Sequence, residues 1–301
     1  MIPTKNRFQV DEREIVIFGA GKIGRSFIGQ LFGTAGYKVV FVDIDRMLVD
    51  LINNRKCYSV VTKSEKEETI VVENVSAIRA DDFDAVSEAV STAGILAVSV
   101  GKNAVEKVIP MISAGLQLRY ERFPGRALDI IIAENMISGG DFLKENLLKN
   151  LPPDFPFDEM TGLIETSIGK MVPIMSQADL EKDPLQVFAE PYNTLILDKK
   201  GFKTPIPRIR GLAPKENIKA WVDRKAFIHN LGHATAAYYG HFLHGDAVYM
   251  YEVLDDANVL NFTREVMIQS ADILLSAYPG DYSHMEIEDH IEDLLARFRN
   301  R

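Results

Sequence analysis

The 301-residue sequence lacks several features that would place it in a special class of protein. Its single cysteine, Cys57, cannot form an internal disulfide. No run of about 18 apolar residues is present, and the first residues lack the apolar core of a secretory signal, so neither a membrane span nor secretion is expected. Lys and Arg (34) are fewer than Asp and Glu (43). Sequence-independent binding of nucleic acid needs a concentrated basic face, so nucleic acid is not an expected partner. These absences favour a cytoplasmic protein and leave open a local pocket for an anionic small molecule.

The overall composition is that of an ordinary globular protein. Hydrophobic residues make up 47% and charged residues 26% of the chain, which is enough apolar material for packed cores and argues against disorder. A chain of this length has about two domains as its natural expectation. We find no internal repeat and no low-complexity run.

A glycine loop follows the first predicted strand. Residues 14–18 are typical of a short buried strand, and the loop at 18–24, Phe-Gly-Ala-Gly-Lys-Ile-Gly, leads into apolar residues at helical spacing. A second predicted strand, 37–42, ends at Asp43, which lies 19 residues after Gly24. A strand, a glycine loop, a helix and a strand with an acid at this distance indicate a β-α-β unit that binds a dinucleotide.

Each glycine of the loop has a physical role in such a unit. Gly19 permits the tight turn, Gly21 lets the backbone approach a pyrophosphate, and Gly24 allows the helix to pack closely on the strand. Asp43 would accept hydrogen bonds from the adenosine ribose and repel a 2′-phosphate, which favours NAD, although the nearby Arg46 keeps NADP as an alternative. A purely structural glycine turn is the simpler alternative. The residues predicted to bind the cofactor are Gly19, Gly21, Lys22, Ile23, Gly24, Asp43 and Gly101.

Further buried strands extend this unit into a doubly wound, mainly parallel sheet of the Rossmann type. Residues 95–100 and 128–133 are predicted strands, followed by Gly101 and Asn135 at the edge where ligands bind in open α/β sheets. Residues 57–61 and 69–72 flank a charged stretch and are predicted to form an inserted hairpin. The prediction is therefore an α/β nucleotide-binding domain with inserted strands.

The texture of the sequence changes between residues 199 and 217, where prolines and glycines are frequent. We interpret this segment as a linker. Beyond it the pattern is helical, with candidate helices at 220–244, 259–277 and 287–298. The sequence thus predicts a nucleotide-binding domain at 1–200 and a mostly α-helical substrate and catalytic domain at 201–301.

The second domain carries an amine, an amide and an imidazole at a characteristic spacing. Lys225 is followed by Asn230 at plus five and His233 at plus eight, about 140° and 80° away on an α-helix. A base beside two hydrogen-bond donors is what the oxidation of an alcohol needs. Asn135 could be another donor. Taken alone, Lys225 is more often a solvated helix lysine and Asn135 more often a loop cap.

Three segments together resemble the polyol-specific long-chain dehydrogenases, from about residue 13 to the end. They are the glycine segment 19–29, the Glu-Asn-Met at 134–136, and the Lys-x4-Asn-x2-His signature that begins at Lys225. The resemblance implies an NAD-dependent, metal-independent enzyme that interconverts mannitol 1-phosphate and fructose 6-phosphate. It further implies that Lys225 is the general acid/base and that Asn135 and Asn230 polarise the substrate oxygen.

Two departures from the family pattern concern the recognition of the phosphate. The family commonly has Asp-Arg where this chain has Gly169-Lys170, and family members continue for several dozen residues beyond the position of Arg301. We therefore expect a second domain that is shortened at its C-terminus. The cations predicted to meet the substrate phosphate are Lys170, Arg208 and Arg210.

Several alternatives remain open. A metal site built from His229, His233, His241 and His244 lacks the acidic or cysteine ligand of a defined zinc motif. Hydroxyacid dehydrogenases of the 6-phosphogluconate type place their asparagine at plus four from the lysine, so the spacing here favours the polyol group. The substrate could instead be mannitol, arabinitol, fructuronate or tagaturonate, and an NAD(H)-binding sensor without catalysis is a further alternative. The sequence does not predict an oligomeric state.

Overall fold

The computed structural model describes residues 9–64, 66–136 and 138–300. The chain divides into two compact units, Met1–Glu216 and Asn217–Arg301, called unit 1 and unit 2 below. The strands are β1 (Asp11–Phe18), β2 (Lys38–Asp43), β3 (Cys57–Thr62), β4 (Glu68–Glu73), β5 (Val75–Arg79), β6 (Ala93–Val98), β7 (Leu128–Ile132), β8 (Thr161–Ser167), β9 (Val187–Ala189), β10 (Leu195–Asp198) and β11 (Leu212–Lys215). The α-helices are α1 (Gln30–Thr34), α2 (Arg46–Arg55), α3 (Phe83–Thr92), α4 (Val105–Arg122), α5 (Gly139–Leu148), α6 (Phe157–Met160), α7 (Gln177–Lys182), α8 (Ile218–Arg224), α9 (Leu231–Leu243), α10 (Met250–Leu254), α11 (Ala257–Ala277) and α12 (His284–Phe298).

The main sheet of unit 1 confirms the predicted Rossmann-type fold. Among the described residues its order is β11-β10-β8-β7-β6-β1-β2-β5. Strands β5, β2, β1, β6, β7 and β8 are parallel neighbours, which is the 3-2-1-4-5-6 order of a dinucleotide-binding sheet. The carboxyl ends of these six strands therefore share one edge, called the ligand edge below.

Both faces of the main sheet are buried, as expected of parallel strands covered by helices. In β1, Ile15 and Ile17 belong to one apolar core, whereas Val16 and Phe18 belong to another on the opposite face. The first core also contains Phe27 and Ile28, from the helix that follows the glycine loop and is called the glycine helix below. The start of this helix is thus fixed by packing against the centre of the sheet.

The predicted hairpin forms a small separate sheet within unit 1. Strands β3 and β4 pair antiparallel, and β3 also pairs in parallel with β9, which comes more than a hundred residues later in the chain. This inserted sheet contributes Tyr58, Val60 and Val187 to the apolar core that holds the glycine helix. The sequence pattern predicts the hairpin but not its long-range partner.

The segment interpreted as a linker contains a strand. Residues 212–215 form β11, which pairs in parallel with β10 at the end of the main sheet. Residue propensities do not predict this strand, because it contains Pro214 and proline is found in strands mainly at the edge of a sheet. The two units divide after Glu216 and not after residue 200, since β11 ties the intervening segment to unit 1.

Unit 2 is helical in the described residues. Helices α8 and α9 are joined by a π-helical turn, Lys225–Asn230, and together replace the single predicted helix at 220–244. Helix α12 buries Ile287, Ile291, Leu294 and Phe298, which recur at helical spacing. Among the helices of the described residues, none is long and apolar enough to cross a membrane.

Candidate active site

The glycine loop at the ligand edge is packed tightly at two positions and open at a third. A Cβ at Gly19, where φ is +94°, would lie 2.4 Å from the Ser99 carbonyl oxygen, and one at Gly24 would lie 2.0 Å from the Gly19 carbonyl oxygen. A Cβ at Gly21 would meet no atom within 4 Å. The first two glycines are needed for folding of the loop, whereas Gly21 leaves its backbone accessible to a ligand.

Asp43 is joined to the glycine loop. Its Oδ2 accepts a hydrogen bond from the Ala20 N–H at 2.6 Å, and its Oδ1 accepts from the Asp45 N–H at 2.9 Å. The Gly19 N–H donates to the Val42 carbonyl oxygen at 2.8 Å, which holds the loop against the end of β2. The carboxylate keeps further acceptor capacity, since each oxygen has two lone pairs.

A cavity of about 410 Å³ lies beside these groups, within the range of small-molecule sites. Gly19, Gly21, Asp43 and Ser99 are among its lining residues. The exposed backbone at Gly21, the acid at the end of β2 and this volume fit a dinucleotide with free ribose hydroxyls.

Arg46, the residue that left NADP as an alternative cofactor, forms a salt bridge with Asp81. Its Nη2 lies 2.9 Å from Asp81 Oδ2, and the Arg79 guanidinium donates to the same carboxylate at 2.6 Å from Nη2 and 2.9 Å from Nε. A 2′-phosphate would have to compete with Asp81 for both guanidinium groups. The arrangement therefore favours a dinucleotide without that phosphate.

The helix that follows the glycine loop starts with a π-helical turn, Gly24–Gly29, which sequence spacing does not reveal. Tyr58, from the inserted sheet, donates from its hydroxyl to the Arg25 carbonyl oxygen in this turn at 2.8 Å. A Cβ at Gly29 would lie 2.5 Å from the same hydroxyl oxygen. Burial raises the pKa of Tyr58, so the hydroxyl stays a donor.

Arg25 connects the glycine loop to the inserted sheet from inside unit 1. Its buried guanidinium donates from Nε to the Ala20 carbonyl oxygen at 2.7 Å and from Nη1 to the Leu185 carbonyl oxygen at 2.6 Å. Burial lowers the pKa of Arg25, while Tyr58 and Asp43 act in the opposite direction. Arg25 and Tyr58 are missed by sequence reasoning, because their partners are distant in the chain.

Gly101 and Asn135 lie at the same edge, after β6 and β7. Gly101 has a φ of +87°, and its N–H donates to Glu134 Oε1 at 2.7 Å. Burial raises the pKa of Glu134, partly offset by hydrogen bonds from the Gly101 and Val100 N–H groups. Glu134 therefore fixes the loop after β6 relative to Asn135, whose side chain is exposed.

The structure places Lys170 in the interior of unit 1, although the sequence analysis predicted that it contacts the substrate phosphate. Its Nζ donates to Asn193 Oδ1 at 2.7 Å and to Gln30 Oε1 at 3.1 Å, and it lies over the Phe27 ring. Burial lowers the pKa of Lys170 to about 8, against an opposing effect of Glu190. In this location Lys170 joins the helix after the glycine loop to the segment between β8 and β10. That role fits its surroundings better than contact with a substrate.

Arg208 and Arg210 are exposed and lie just before β11. Strand β10 runs antiparallel to β8, and β11 is parallel to β10, with Leu195 opposite Leu212. The start of β11 therefore lies at the ligand edge, which is where the two arginines are found. Their predicted contact with a phosphate stays a prediction.

In unit 2 the Lys-x4-Asn segment coincides with the π-helical turn, Lys225–Asn230. The i to i+5 hydrogen bonding of such a turn brings residues five apart closer to one face than an α-helix does. The angle of about 140° expected for Asn230 from an α-helix is therefore wrong for this turn. π-helical turns within α-helices are frequent at functional sites, and Ser270 Oγ supports this one by donating to the Phe227 carbonyl oxygen at 2.6 Å.

Lys225 and His233 are both partly buried, and Asn230 is exposed. Burial lowers the pKa of Lys225, which moves the amine toward the range useful for proton transfer near neutrality. Burial and Arg297 lower the pKa of His233, so its ring is neutral and offers one donor and one acceptor. The π-helical turn and the first residues of α9 thus present an amine, an amide and a neutral imidazole in sequence order.

The histidine cluster considered for a metal is divided. His229 and His233 contact each other, with ring centroids 5.3 Å apart, whereas His244 Nε2 lies 2.7 Å from Asp256 Oδ2. In residues 9–64, 66–136 and 138–300, no group of three or more His, Cys, Asp or Glu is arranged to hold a metal ion. The independence from metal stays a prediction.

Comparisons with known proteins place both units in one family. The mannitol dehydrogenase Rossmann domain matches residues 13–211, and the mannitol dehydrogenase C-terminal domain matches residues 217–301. The chain is 33% identical over 288 residues to mannitol-1-phosphate 5-dehydrogenase from Brevibacillus brevis, with 95% of this chain and 72% of that protein covered.

Two solved structures share the fold. Mannitol 2-dehydrogenase from Pseudomonas fluorescens, solved with NAD and D-mannitol, is 16% identical with a TM-score of 0.77, covering 98% of this chain and 69% of that one. Octopine dehydrogenase with NADH and agmatine is 12% identical with a TM-score of 0.54, covering 96% and 74%. With both domains matched in order, the chain belongs to the mannitol dehydrogenase family.

Proposed function

We propose that this chain is an NAD-dependent polyol dehydrogenase that interconverts mannitol 1-phosphate and fructose 6-phosphate. The observation that carries the proposal is the Lys-x4-Asn segment folded as a π-helical turn, with His233 following in α9, in a chain that also has an open glycine loop beside Asp43. The similarity to a mannitol-1-phosphate 5-dehydrogenase supports the substrate.

The cofactor side of the proposal rests on unit 1. Gly19, Gly24 and Asp43 shape the loop, and the helix N-terminus at Lys22 and Ile23 presents N–H groups suited to a pyrophosphate. The cofactor that these residues would hold would supply the hydride acceptor as NAD in the oxidation and the hydride donor as NADH in the reduction. Gly101 closes the neighbouring loop through its hydrogen bond to Glu134.

The proton is moved by Lys225. In the direction of oxidation the neutral amine takes the proton of the substrate hydroxyl, and in the direction of reduction the ammonium returns it. Burial favours the neutral form, because it lowers the pKa of the ammonium group. The same residue therefore serves both directions of the reaction.

Asn230 and His233 are proposed to donate hydrogen bonds to the substrate oxygen while charge develops on it. The neutral ring of His233 and the amide of Asn230 can do so without adding a fixed charge beside Lys225. Asn135 is proposed as a further donor, in the role that the family resemblance gives it. With these donors, the reaction is proposed to need no metal.

Preference for NAD is expected to depend on Asp43. We expect Asp43→Asn to weaken NADH binding about tenfold or more and to narrow its advantage over NADPH, since hydrogen bonds to a charged group contribute about 1.5–3 kcal/mol. Titration of both reduced cofactors by fluorescence measures this, and Asp45→Asn is a matched control, because Asp45 caps α2. Tighter NADPH than NADH binding by the unmodified protein would contradict the assignment.

The substrate is tested by the rate of NADH oxidation with fructose 6-phosphate, fructose, fructuronate and tagaturonate. We expect the highest kcat/KM with fructose 6-phosphate. A preference for fructose or a keto-hexuronate would leave a dehydrogenase of another polyol. NADH binding without turnover of any of the four would instead support a sensor.

A further inference from the structure

Unit 2 contains a group of six basic side chains, called the basic cluster: Arg224, Lys225, His229, His233, His290 and Arg297. They come from three consecutive elements, α8, the π-helical turn and α9, together with α12. Unit 2 as a whole has more Asp and Glu than Lys and Arg. The gathering of these six basic residues in an otherwise acidic unit therefore calls for a specific explanation.

Helix α12 supplies one side of the basic cluster. His290 and Arg297 are seven residues apart, two turns of an α-helix, and so share a face. The next residue, Phe298, stacks on the His233 ring with centroids 4.0 Å apart and contacts the His229 ring at 5.6 Å. These ring contacts bring the end of α12 directly onto the segment that carries Lys225.

The arginines are held in place by their neighbours. The Arg224 guanidinium carbon lies 4.3 Å from the centroid of the Trp221 ring, which keeps the charged group on a flat apolar surface. The Arg297 side chain is 11% exposed, and its Nη1 lies 3.3 Å from Asp293 Oδ2 on the same helix. A guanidinium that is fixed and largely removed from water is suited to bind an anion.

The electrostatic environment of the three rings is positive. The pKa of His229 is lowered to about 3 by burial, with further lowering by His233, Arg297, Lys225 and Arg224. Burial and then Arg224, His229 and Arg297 lower the pKa of His290. An anion bound among these groups would offset their mutual repulsion and make protonation of the rings easier.

We infer that the part of the basic cluster formed by Arg224 on α8 and by His290 and Arg297 on α12 holds the phosphate group of a sugar phosphate substrate, next to the acid/base Lys225. This inference rests on the proposed function and names the groups that would give it specificity for a phosphorylated sugar. In fructose 6-phosphate only four carbon–carbon bonds separate the keto carbon from the carbon that bears the phosphate. A phosphate site adjacent to Lys225 thus fits the length of the substrate.

The inference differs from the sequence prediction in where the phosphate cations lie. Arg208 and Arg210 are exposed at the ligand edge of unit 1, and Lys170 is buried in that unit with amide partners. The basic cluster instead combines fixed guanidinium groups with neutral imidazoles within unit 2. Substitutions in the two sets distinguish them.

The first test uses Arg297→Gln and His290→Gln and compares fructose 6-phosphate with fructose. Each variant is expected to lower the ratio of kcat/KM for fructose 6-phosphate to that for fructose by about tenfold or more, because a charge-assisted hydrogen bond is lost. Arg299→Gln is the matched control: its guanidinium is exposed and lies 3.7 Å from Asp255 Oδ1. The ratio should stay unchanged in that control.

Selective loss in Arg208→Gln or Arg210→Gln, with Arg297→Gln unaffected, would overturn the inference. An equal loss for both sugars in Arg297→Gln would also overturn it, because that result indicates a structural role. Thermal unfolding of each variant identifies those that fold poorly.

A second test needs no variant and no turnover. The chain has six histidines, of which His229, His233 and His290 lie in the basic cluster and His241, His244 and His284 do not. In NMR titrations of the unmodified protein, inorganic phosphate and fructose 6-phosphate are expected to shift the ring signals of the first three, and fructose at the same concentration is not. Shifts confined to the other three histidines, or no shift, would overturn the inference.

The two tests separate the inference from the proposed function. If no sugar is reduced but phosphate shifts the cluster histidines, the phosphate site stands and the proposed reaction fails. If fructose 6-phosphate is reduced with full preference over fructose in Arg297→Gln and His290→Gln, the reaction stands and the site fails.

Discussion

Lys225→Ala is expected to lower turnover by about 10² to 10⁴ while leaving NADH affinity nearly unchanged. General acid/base catalysis by a positioned side chain contributes about that factor. Lys225 begins the π-helical turn, and its lowered pKa, caused by burial, suits the role. No other lysine in the described part of unit 2 precedes an asparagine and a histidine at this spacing.

The pH dependence of the oxidation rate of the unmodified protein tests the role of Lys225 as a base. Oxidation of the polyol requires the neutral amine, so its rate should rise with pH through a pKa below the ordinary value of about 10.4. In Lys225→Ala this limb of the profile should disappear. A change in amplitude without a change in profile would indicate a structural loss.

Lys219→Ala is the matched control, since Lys219 is a lysine of the preceding helix. Its Nζ lies 2.6 Å from Asp223 Oδ2 and is exposed, so its loss is expected to leave turnover within about twofold, as for surface substitutions. Steady-state rates with fructose 6-phosphate and NADH titrations measure both variants. Retention of most of the rate by Lys225→Ala would show that another group moves the proton.

The sequence predicts most of the nucleotide-binding unit because its signals are local. Gly19, Gly21, Gly24 and Asp43 are recognised from spacing alone, and the structure joins the loop to Asp43 through the Ala20 N–H. The carboxyl-edge rule for parallel strands then brings Gly101 to the same edge. Local geometry and one topological rule are sufficient here.

The details that the sequence misses depend on long-range contacts or on helix type. Tyr58 and Arg25 support the glycine loop through the inserted sheet, whose parallel β3–β9 pairing joins distant segments. The π-helical turn at Lys225–Asn230 has no signature in hydrophobic spacing, so the angles of an α-helix are the natural assumption.

Lys170 shows a different limit of sequence reasoning. A lysine that follows a strand at the ligand edge could contact a ligand, and it could equally be a buried residue that joins two parts of the fold. Its actual partners, Gln30 and Asn193, are amides from the helix after the glycine loop and from the segment two residues before β10. Nothing in residue type or spacing distinguishes these two outcomes before the fold is known.

Gly21→Ala is expected to weaken NADH binding by tenfold or more, about 1.4 kcal/mol, without destabilising the fold. A Cβ at position 21 would meet no protein atom within 4 Å, so the change in the free energy of unfolding should stay within about 0.5 kcal/mol. The added methyl group would instead occupy the space that the backbone leaves for a pyrophosphate. Binding and stability should therefore separate at this position.

Gly24→Ala provides the contrast, because its Cβ would lie 2.0 Å from the Gly19 carbonyl oxygen and the backbone would have to move. We expect this variant to lose about 1–3 kcal/mol of unfolding free energy, as in overpacked cores, and NADH affinity as well. Gly245→Ala is the control, since its nearest contact would be an ordinary 3.8 Å. Denaturant unfolding and NADH titration of all three variants measure both quantities. If Gly21→Ala bound NADH as tightly as the unmodified protein, the pyrophosphate could not lie against Gly21, and the glycine loop would be a structural turn.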